Sequence, residues 1–311
     1  MGRIYLPYLN PLNFVEVSPQ QAPQYISKFI DDYRWRERLS PRQEPIENYY
    51  QPWQTNDVID LQFQTNLGQT TAYLVDPTGK KIDSFVATPK QQNKFEPDYF
   101  IYELHIAQTY PEGHYVYVME VGVPTATVLI SEPIYIKPIH EDTILFQYKH
   151  KQFRGNMIFE TGIEPSVRVK AVLKKDKPVS KDTLYEDQIL DMTMLKSTPY
   201  RVFNLTLQQI PDWFSEIFNW VMGCSDVRLD NRFFTKNGDD AKFDKQVSAY
   251  YDALFDCTIQ LRESINRNSK IFSADENTND ELTIQLNVDS KGFADTSQNA
   301  SSSVVTFLDV E

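Results

Sequence analysis

The stretch Arg201–Phe234 constrains the fold more than any other part of this chain. Val202–Leu207 alternates as a strand does, and the period then changes at Ile210. Ile210, Trp213, Phe214, Ile217, Phe218, Trp220 and Val221 fall at helical spacing on one broad face, with Asp212, Ser215, Glu216 and Asn219 opposite. The pattern predicts a helix over 211–222. Pro211 suits a first turn, where its missing N–H costs nothing, and Asp212 places negative charge near the positive end of the dipole. Gly223 is the expected stop. Val227 and Leu229 then lead through the turn pair Asp230-Asn231 to Phe233-Phe234, which reads as a hairpin. So many large apolar side chains on one short helix need a sheet to cover. Trp213 is expected in that core, at ~3–5 kcal/mol for Trp213→Ala. Nothing in the stretch is a reactive group.

The remaining chain divides around this element. Residues 1–50 read as an N-terminal arm, because prolines at 7, 11, 19, 23, 41 and 45 break its periodicity. The exception is Tyr25, Ile26, Phe29, Ile30 and Tyr33, whose spacing predicts a helix from Pro23 to Trp35. Such an arm packs on its own body or on a neighbouring subunit. Residues 51–140 alternate in short strands: Ile59, Leu61 and Phe63 face one way, and Phe100, Tyr102, Leu104 and Ile106 repeat the pattern. Asp76-Pro77-Thr78-Gly79 is a type I turn signal. About seven strands at this spacing predict a β-sandwich. Gly113-His114-Tyr115-Val116-Tyr117 resembles the tyrosine corner of immunoglobulin-like and fibronectin-like sandwiches, and Ser131-Glu132-Pro133 resembles the entry to their closing strand.

Residues 141–272 read as a second, β-rich α+β domain built around the helix. Val167, Val169, Ala171 and Leu173 alternate with Arg168 and Lys170, as in a strand with one wet face. Lys174-Lys175-Asp176-Lys177-Pro178 reads as a charged turn. Phe255, Cys257, Ile259 and Leu261 form another half-buried strand. Residues 273–311 form a polar C-terminal tail with late strands at Leu282–Val288 and Val304–Leu308, suited to adding an edge strand to the body or to another chain. The expected fold class is mostly β: an N-terminal immunoglobulin-like or fibronectin-like sandwich, then the α+β domain with its aromatic helix.

Charge and composition narrow the function. With 31 basic and 43 acidic residues the net charge is −12, which argues against nucleic acid as a partner. The one basic and aromatic cluster, Arg34-Trp35-Arg36-Glu37-Arg38, lies among acidic residues and reads as a solvated or interface face. No apolar run approaches the ~18 residues of a membrane span, and no signal peptide opens the chain. Aromatics reach 13%, with 18 Tyr and 19 Phe, as expected of half-buried strands and of surfaces that meet partners. Cys224 and Cys257 belong to no CxxC pair; Cys257 reads as a buried free thiol, with a disulfide between the two as the less favoured alternative. His105, His114, His140 and His150 are too scattered for a metal cluster. The acidic run 275–281 lacks a calcium-loop pattern, and GxSxG, Walker A and GxGxxG motifs are absent from the sequence. The expectation is therefore no enzyme: no catalytic, cofactor-binding or metal residues, and no cofactor.

Tyr49-Tyr50-Gln51-Pro52-Trp53-Gln54, followed by Asp57 and Leu61-Gln62-Phe63, resembles the opening of tail-region structural proteins of Bacteroidetes phages and prophages. The later order is similar: Tyr200-Arg201-Val202, Pro211-Asp212-Trp213, Gly223-Cys224-Ser225-Asp226-Val227, a hairpin, then Ile259–Arg267. The resemblance covers residues 45–270 and departs at Pro52, where lysine is usual. It implies a virion protein of the baseplate, collar or fibre-docking region, made in the host cytoplasm and assembled in several copies. The implied partners are copies of itself and other tail proteins, with tail fibres or host-surface glycans reached through neighbours. Two other readings stand beside it. One is a glycan- or receptor-binding adhesion module that stacks sugars on Trp35, Trp53 and tyrosines. The other is an enzyme whose paired carboxylates meet only in space.

Overall fold

The computed structural model describes residues 3–37, 50–94, 96–122, 125, 127–186, 192–238, 240–245 and 254–264. The protein is mostly β, 58% strand against 10% helix, with several sheets that include a six-strand barrel and a curled half-barrel. In chain order the first half comprises β1 (Ile4–Tyr5), β2 (Phe14–Val17), α1 (Ala22–Glu37), β3 (Gln51–Gln54), β4 (Val58–Thr65), β5 (Thr70–Val75), β6 (Lys81–Val86), β7 (Thr88–Gln92), β8 (Phe100–Ala107), β9 (Gly113–Val121), β10 (Thr127–Ser131) and β11 (Ile134–Lys137). One sheet has the order β1-β4-β8-β7. The other is built on β9, which carries β5 and then β6 on one edge, and β10 and β11 in succession on the other. β2 completes the sheet beside β10, and β3 lies parallel to β11.

Alternation explains why these sheets share a core. Ile59, Leu61 and Phe63 of β4 and Leu104 and Ile106 of β8 meet Ala72, Leu74, Tyr117, Met119 and Leu129 from the facing sheet, around a fully buried Trp53. The Tyr115 hydroxyl donates to the Pro111 carbonyl at 2.9 Å. The Asp76 turn closes as its residues require: the Gly79 N–H donates to the Asp76 carbonyl at 2.9 Å and Gly79 takes φ +83°. The proline-broken N-terminus is woven into the body. β1 pairs with β4, β2 pairs with β10, Leu12 joins the first core, and Leu9 joins the second.

The second half comprises β12 (Thr143–Lys149), β13 (Phe153–Arg154), β14 (Met157–Ile158), β15 (Ser166–Glu186), β16 (Met192–Pro211), α2 (Asp212–Val221), β17 (Asp226–Leu229), β18 (Arg232–Lys236), β19 (Asp244–Lys245) and β20 (Leu254–Glu263). Going round, β12, β15, β16, β20, β18 and β17 pair antiparallel, and β17 returns to β12, closing a six-strand barrel. Closure leaves these strands no open edge where they wrap the core. Asp230 and Asn231 take φ +47° and +66°, the left-handed pair that a two-residue hairpin between β17 and β18 demands. Gln209, at φ +52°, sits in the register break between Leu207 and Ile210 and is held by its N–H to Asp256 Oδ1 at 2.8 Å.

The helix α2 supplies Phe214, Ile217, Phe218 and Val221 to the barrel core. Phe214 and Phe218 meet Phe146 edge-on at 6.1 and 6.0 Å. Its boundaries lie within a residue of the expected 211–222, with Pro211 as the extended N-cap residue rather than the first helical one. The face is narrower than expected. Trp220 is 53% exposed, with the Arg154 guanidinium 5.5 Å from its ring. Trp213 is only half-buried, and its indole N–H donates to Glu132 Oε2 of the first half at 2.7 Å. Trp213→Ala is therefore expected to cost ~1–2 kcal/mol, a partial burial term plus one hydrogen bond. A chemical-denaturation midpoint that drops as far as that of a core phenylalanine variant would refute this. Gly223 does not stop the helix by a left-handed turn. A Cβ there would lie 2.1 Å from Arg154 Nη2, so its small size makes room for that side chain.

Two sequence readings change. Arg168, expected on a wet face, is 5% exposed and is covered by the first half. Lys174–Pro178 is no turn: β15 runs straight through it, and a one-residue register break between Lys175 and Pro178 takes up the proline. The late strands of the tail, the acidic run 275–281, and the side chains of Arg34, Trp35 and Arg36 lie outside the described residues.

Candidate functional site

Buried polar groups join the two halves. Arg168 of β15 forms a two-pronged ion pair with Asp57, Nε to Oδ2 at 2.7 Å and Nη2 to Oδ1 at 2.9 Å. The Gln51 amide donates to the Arg168 carbonyl, and Ser166 Oγ donates to the Val58 carbonyl at 2.6 Å. Gln62 accepts from the Ile158 N–H at 2.8 Å and donates to the Ile158 carbonyl at 3.0 Å, and its backbone is bracketed by the Asn10 side chain. Every one of these groups is matched, so the seam is rigid scaffold.

The histidines stand apart from one another. His105 Nδ1 lies 2.6 Å from Asp60 Oδ1, and burial holds the Asp60 carboxyl above its ordinary range. His114 stacks on Tyr135 at 4.4 Å. Ser225 Oγ lies 2.9 Å from His150 Nδ1, which also accepts the Ser225 N–H, so the imidazole fastens the exit of α2. Among the described residues, no three or more His, Cys, Asp or Glu side chains are arranged to hold a metal ion. Both cysteines are buried and free, and burial pushes the Cys224 thiol up to about 11.

His140 sits at the join, with Nε2 3.1 Å from the Trp53 carbonyl and 3.3 Å from the Tyr135 carbonyl. Burial lowers its pKa, and Lys137 and Arg168 add to this against the raising effect of the Tyr135 carbonyl. The unfolded chain then binds this proton more tightly than the folded one. Stability is lost as pH falls through the unfolded value near ~6.5 towards the lower folded value. The denaturation midpoint should fall between pH 7.5 and 5.5, and by less in His140→Gln. An identical fall in that variant would assign the pH dependence elsewhere.

The feature without a structural task is the β15–β16 hairpin. β12 pairs with β15 only as far as Lys170, and β20 pairs with β16 only as far as Val202. Among the described residues, beyond Pro178 and Arg201 the two strands pair only with each other, out to Glu186 and Met192. That is a two-stranded ribbon ~30 Å long at the usual rise per residue. Val179, Leu184, Tyr185, Met194 and Leu195 along it are 40–63% exposed. Ser197 and Ser180 both donate to Asp182, at 2.6 and 2.9 Å, and hold its carboxylate below the ordinary range. An isolated two-stranded ribbon is marginally stable at best, and one that exposes apolar side chains on open strand edges is a surface for pairing with another chain. Sequence reasoning missed this arm because the lysines and the proline of Lys174–Pro178 mimic a turn.

Comparison of the chain with protein-family models, with curated proteins and with solved structures found no match.

Proposed function

We propose that this protein is a non-enzymatic structural component of a phage tail, in the baseplate, collar or fibre-docking region, that assembles in multiple copies. The outward β15–β16 arm carries the reading: a rigid two-part body presents a ribbon with open edges and apolar side chains, which is equipment for joining other chains. The resemblance of Tyr49–Phe63 and of residues 200–267 to tail-region proteins is the ground for proposing a virion location, with synthesis in the host cytoplasm.

The finer reading of the first half is an immunoglobulin-like or fibronectin-like sandwich. Its support is the split into β1-β4-β8-β7 and the sheet around β9, the parallel β3–β11 pair, and the Tyr115 hydroxyl tied to Pro111. The adhesion reading loses a main element, because Trp53 is fully buried and cannot stack on a sugar. Among the described residues no helix is long and apolar enough to cross a membrane. Mass spectrometry of purified tailed particles from the host is the test. Recovery of the chain at a fixed copy number supports the proposal, and its absence from intact particles overturns it.

A further inference from the structure

We infer that Asn237 is a self-modifying site: in the folded protein its side chain closes on the Gly238 nitrogen to give a succinimide, which water opens to isoaspartate and aspartate. Three observations carry it, and none depends on the virion reading above.

The first concerns the nucleophile. Asn237-Gly238 is the one Asn-Gly pair in the sequence. It follows β18, where the Asn237 N–H donates to the Gln260 carbonyl at 3.0 Å. The next N–H, that of Gly238, has no hydrogen-bond partner among the described residues. Gly238 is exposed, takes φ +114° and has open space where a Cβ would stand. No side chain of its own shields the nitrogen.

The second concerns the group attacked. Among the described residues the Asn237 carboxamide has no hydrogen-bond partner. The carboxamides of Asn10, Asn93 and Asn219 are each bonded through both oxygen and nitrogen, which locks them away from the following peptide. Asn237 is free to turn its Cγ onto the Gly238 nitrogen. The N–Cγ bond then forms, the Cγ–Nδ2 bond breaks, and ammonia leaves with the proton from the Gly238 N–H. Water opens the ring at either carbonyl. One opening leaves aspartate, and the other leaves isoaspartate, whose main chain runs through Cβ and is one atom longer.

The third is what that extra atom would disturb. The segment after Gly238 latches α2. Asn219 brackets Ala241, accepting its N–H at 2.9 Å and donating to its carbonyl at 3.1 Å, and Phe243 meets Phe218 edge-on at 5.5 Å. The segment is tied at both ends to β20, through Lys236 to Leu261 and through Asp244 to Asp256. A longer main chain between fixed ends has slack at the latch, so the conversion acts as a slow, one-way loosening of the loop over the helix.

Peptide mapping by mass spectrometry, with an isoaspartate-specific methyltransferase as label, tests this on the folded full chain held at mildly alkaline pH. The peptide carrying residue 237 is expected to gain about 1 Da and to separate into aspartate and isoaspartate forms. Asn237→Gln should show neither, because its longer side chain must close a less favourable six-membered ring. The Ala241 amide should exchange about tenfold faster in the converted protein than in fresh protein, and at one rate throughout in Asn237→Gln. A folded chain that keeps Asn237 intact while the same chain in urea converts would overturn the inference. Conversion to aspartate alone would also overturn it, since a succinimide gives both products. Unchanged Ala241 exchange after conversion would overturn the loosening of the latch.

Discussion

Replacing Phe218 by alanine should lower the unfolding free energy by ~3–5 kcal/mol. Trp220→Ala, two positions further along the same helix, should cost less than ~1 kcal/mol. Both residues are large aromatics that the sequence reading assigns to one broad face of the helix. The structure separates them: Phe218 is fully buried between Phe146, Phe214 and Phe243, with centroids 5.5–6.0 Å away, while Trp220 is 53% exposed. A closed barrel can relax little around a lost ring, because each strand is tied to two neighbours, so most of the cavity would persist. Urea denaturation of the two variants decides it. Equal midpoints would mean that the helix is not the core element described.

Arg168→Ala should cost a comparable ~3–5 kcal/mol, because it strands the Asp57 carboxylate in a site where its own side chain is 8% exposed. The remaining donors to Asp57 would be too few. Besides Arg168, Asp57 Oδ2 accepts from the Gln54 N–H at 2.8 Å. Adding Asp57→Asn to that variant should recover part of the loss, since a neutral amide tolerates burial better than an unpaired charge. A double-mutant cycle reads the coupling. Simple additivity of the two single variants would show that the pair does not join the halves. The expected consequence beyond stability is cooperativity: with this seam intact, the two halves should melt in one transition.

How far the fold could be read in advance depends on which neighbour a side chain meets. The α2 helix was legible because its own residues carry the period. The Asp230-Asn231 hairpin was legible because only a few residues accept two successive left-handed positions. The run that resembles a tyrosine corner does hold a tethered hydroxyl, Tyr115 to the Pro111 carbonyl at 2.9 Å. Arg168 was misread for the opposite reason. Its alternation with Val167 and Val169 correctly separates two faces, but the second face meets Asp57, Gln51 and Val58 rather than water. Gln62 and Gln64, both buried, repeat the lesson on β4. The arm was hidden because a lysine-rich strand and a lysine-rich turn have the same composition, and only pairing across Lys175 and Pro178 tells them apart.

The Arg201–Phe234 stretch marks the division. By itself the sequence determined the strand, the helix and the hairpin, since these rest on dihedral preferences and on periods written within a dozen residues. Tertiary structure alone decided that six strands close, that Leu9 from the far N-terminus enters the same core, and that β15 and β16 outrun β12 and β20 beside them. Those are facts of long-range pairing. The backbone hydrogen bonds that make a ladder are alike for every residue except proline, so sequence carries almost no record of which strand lies beside which, or of where a strand is left without one.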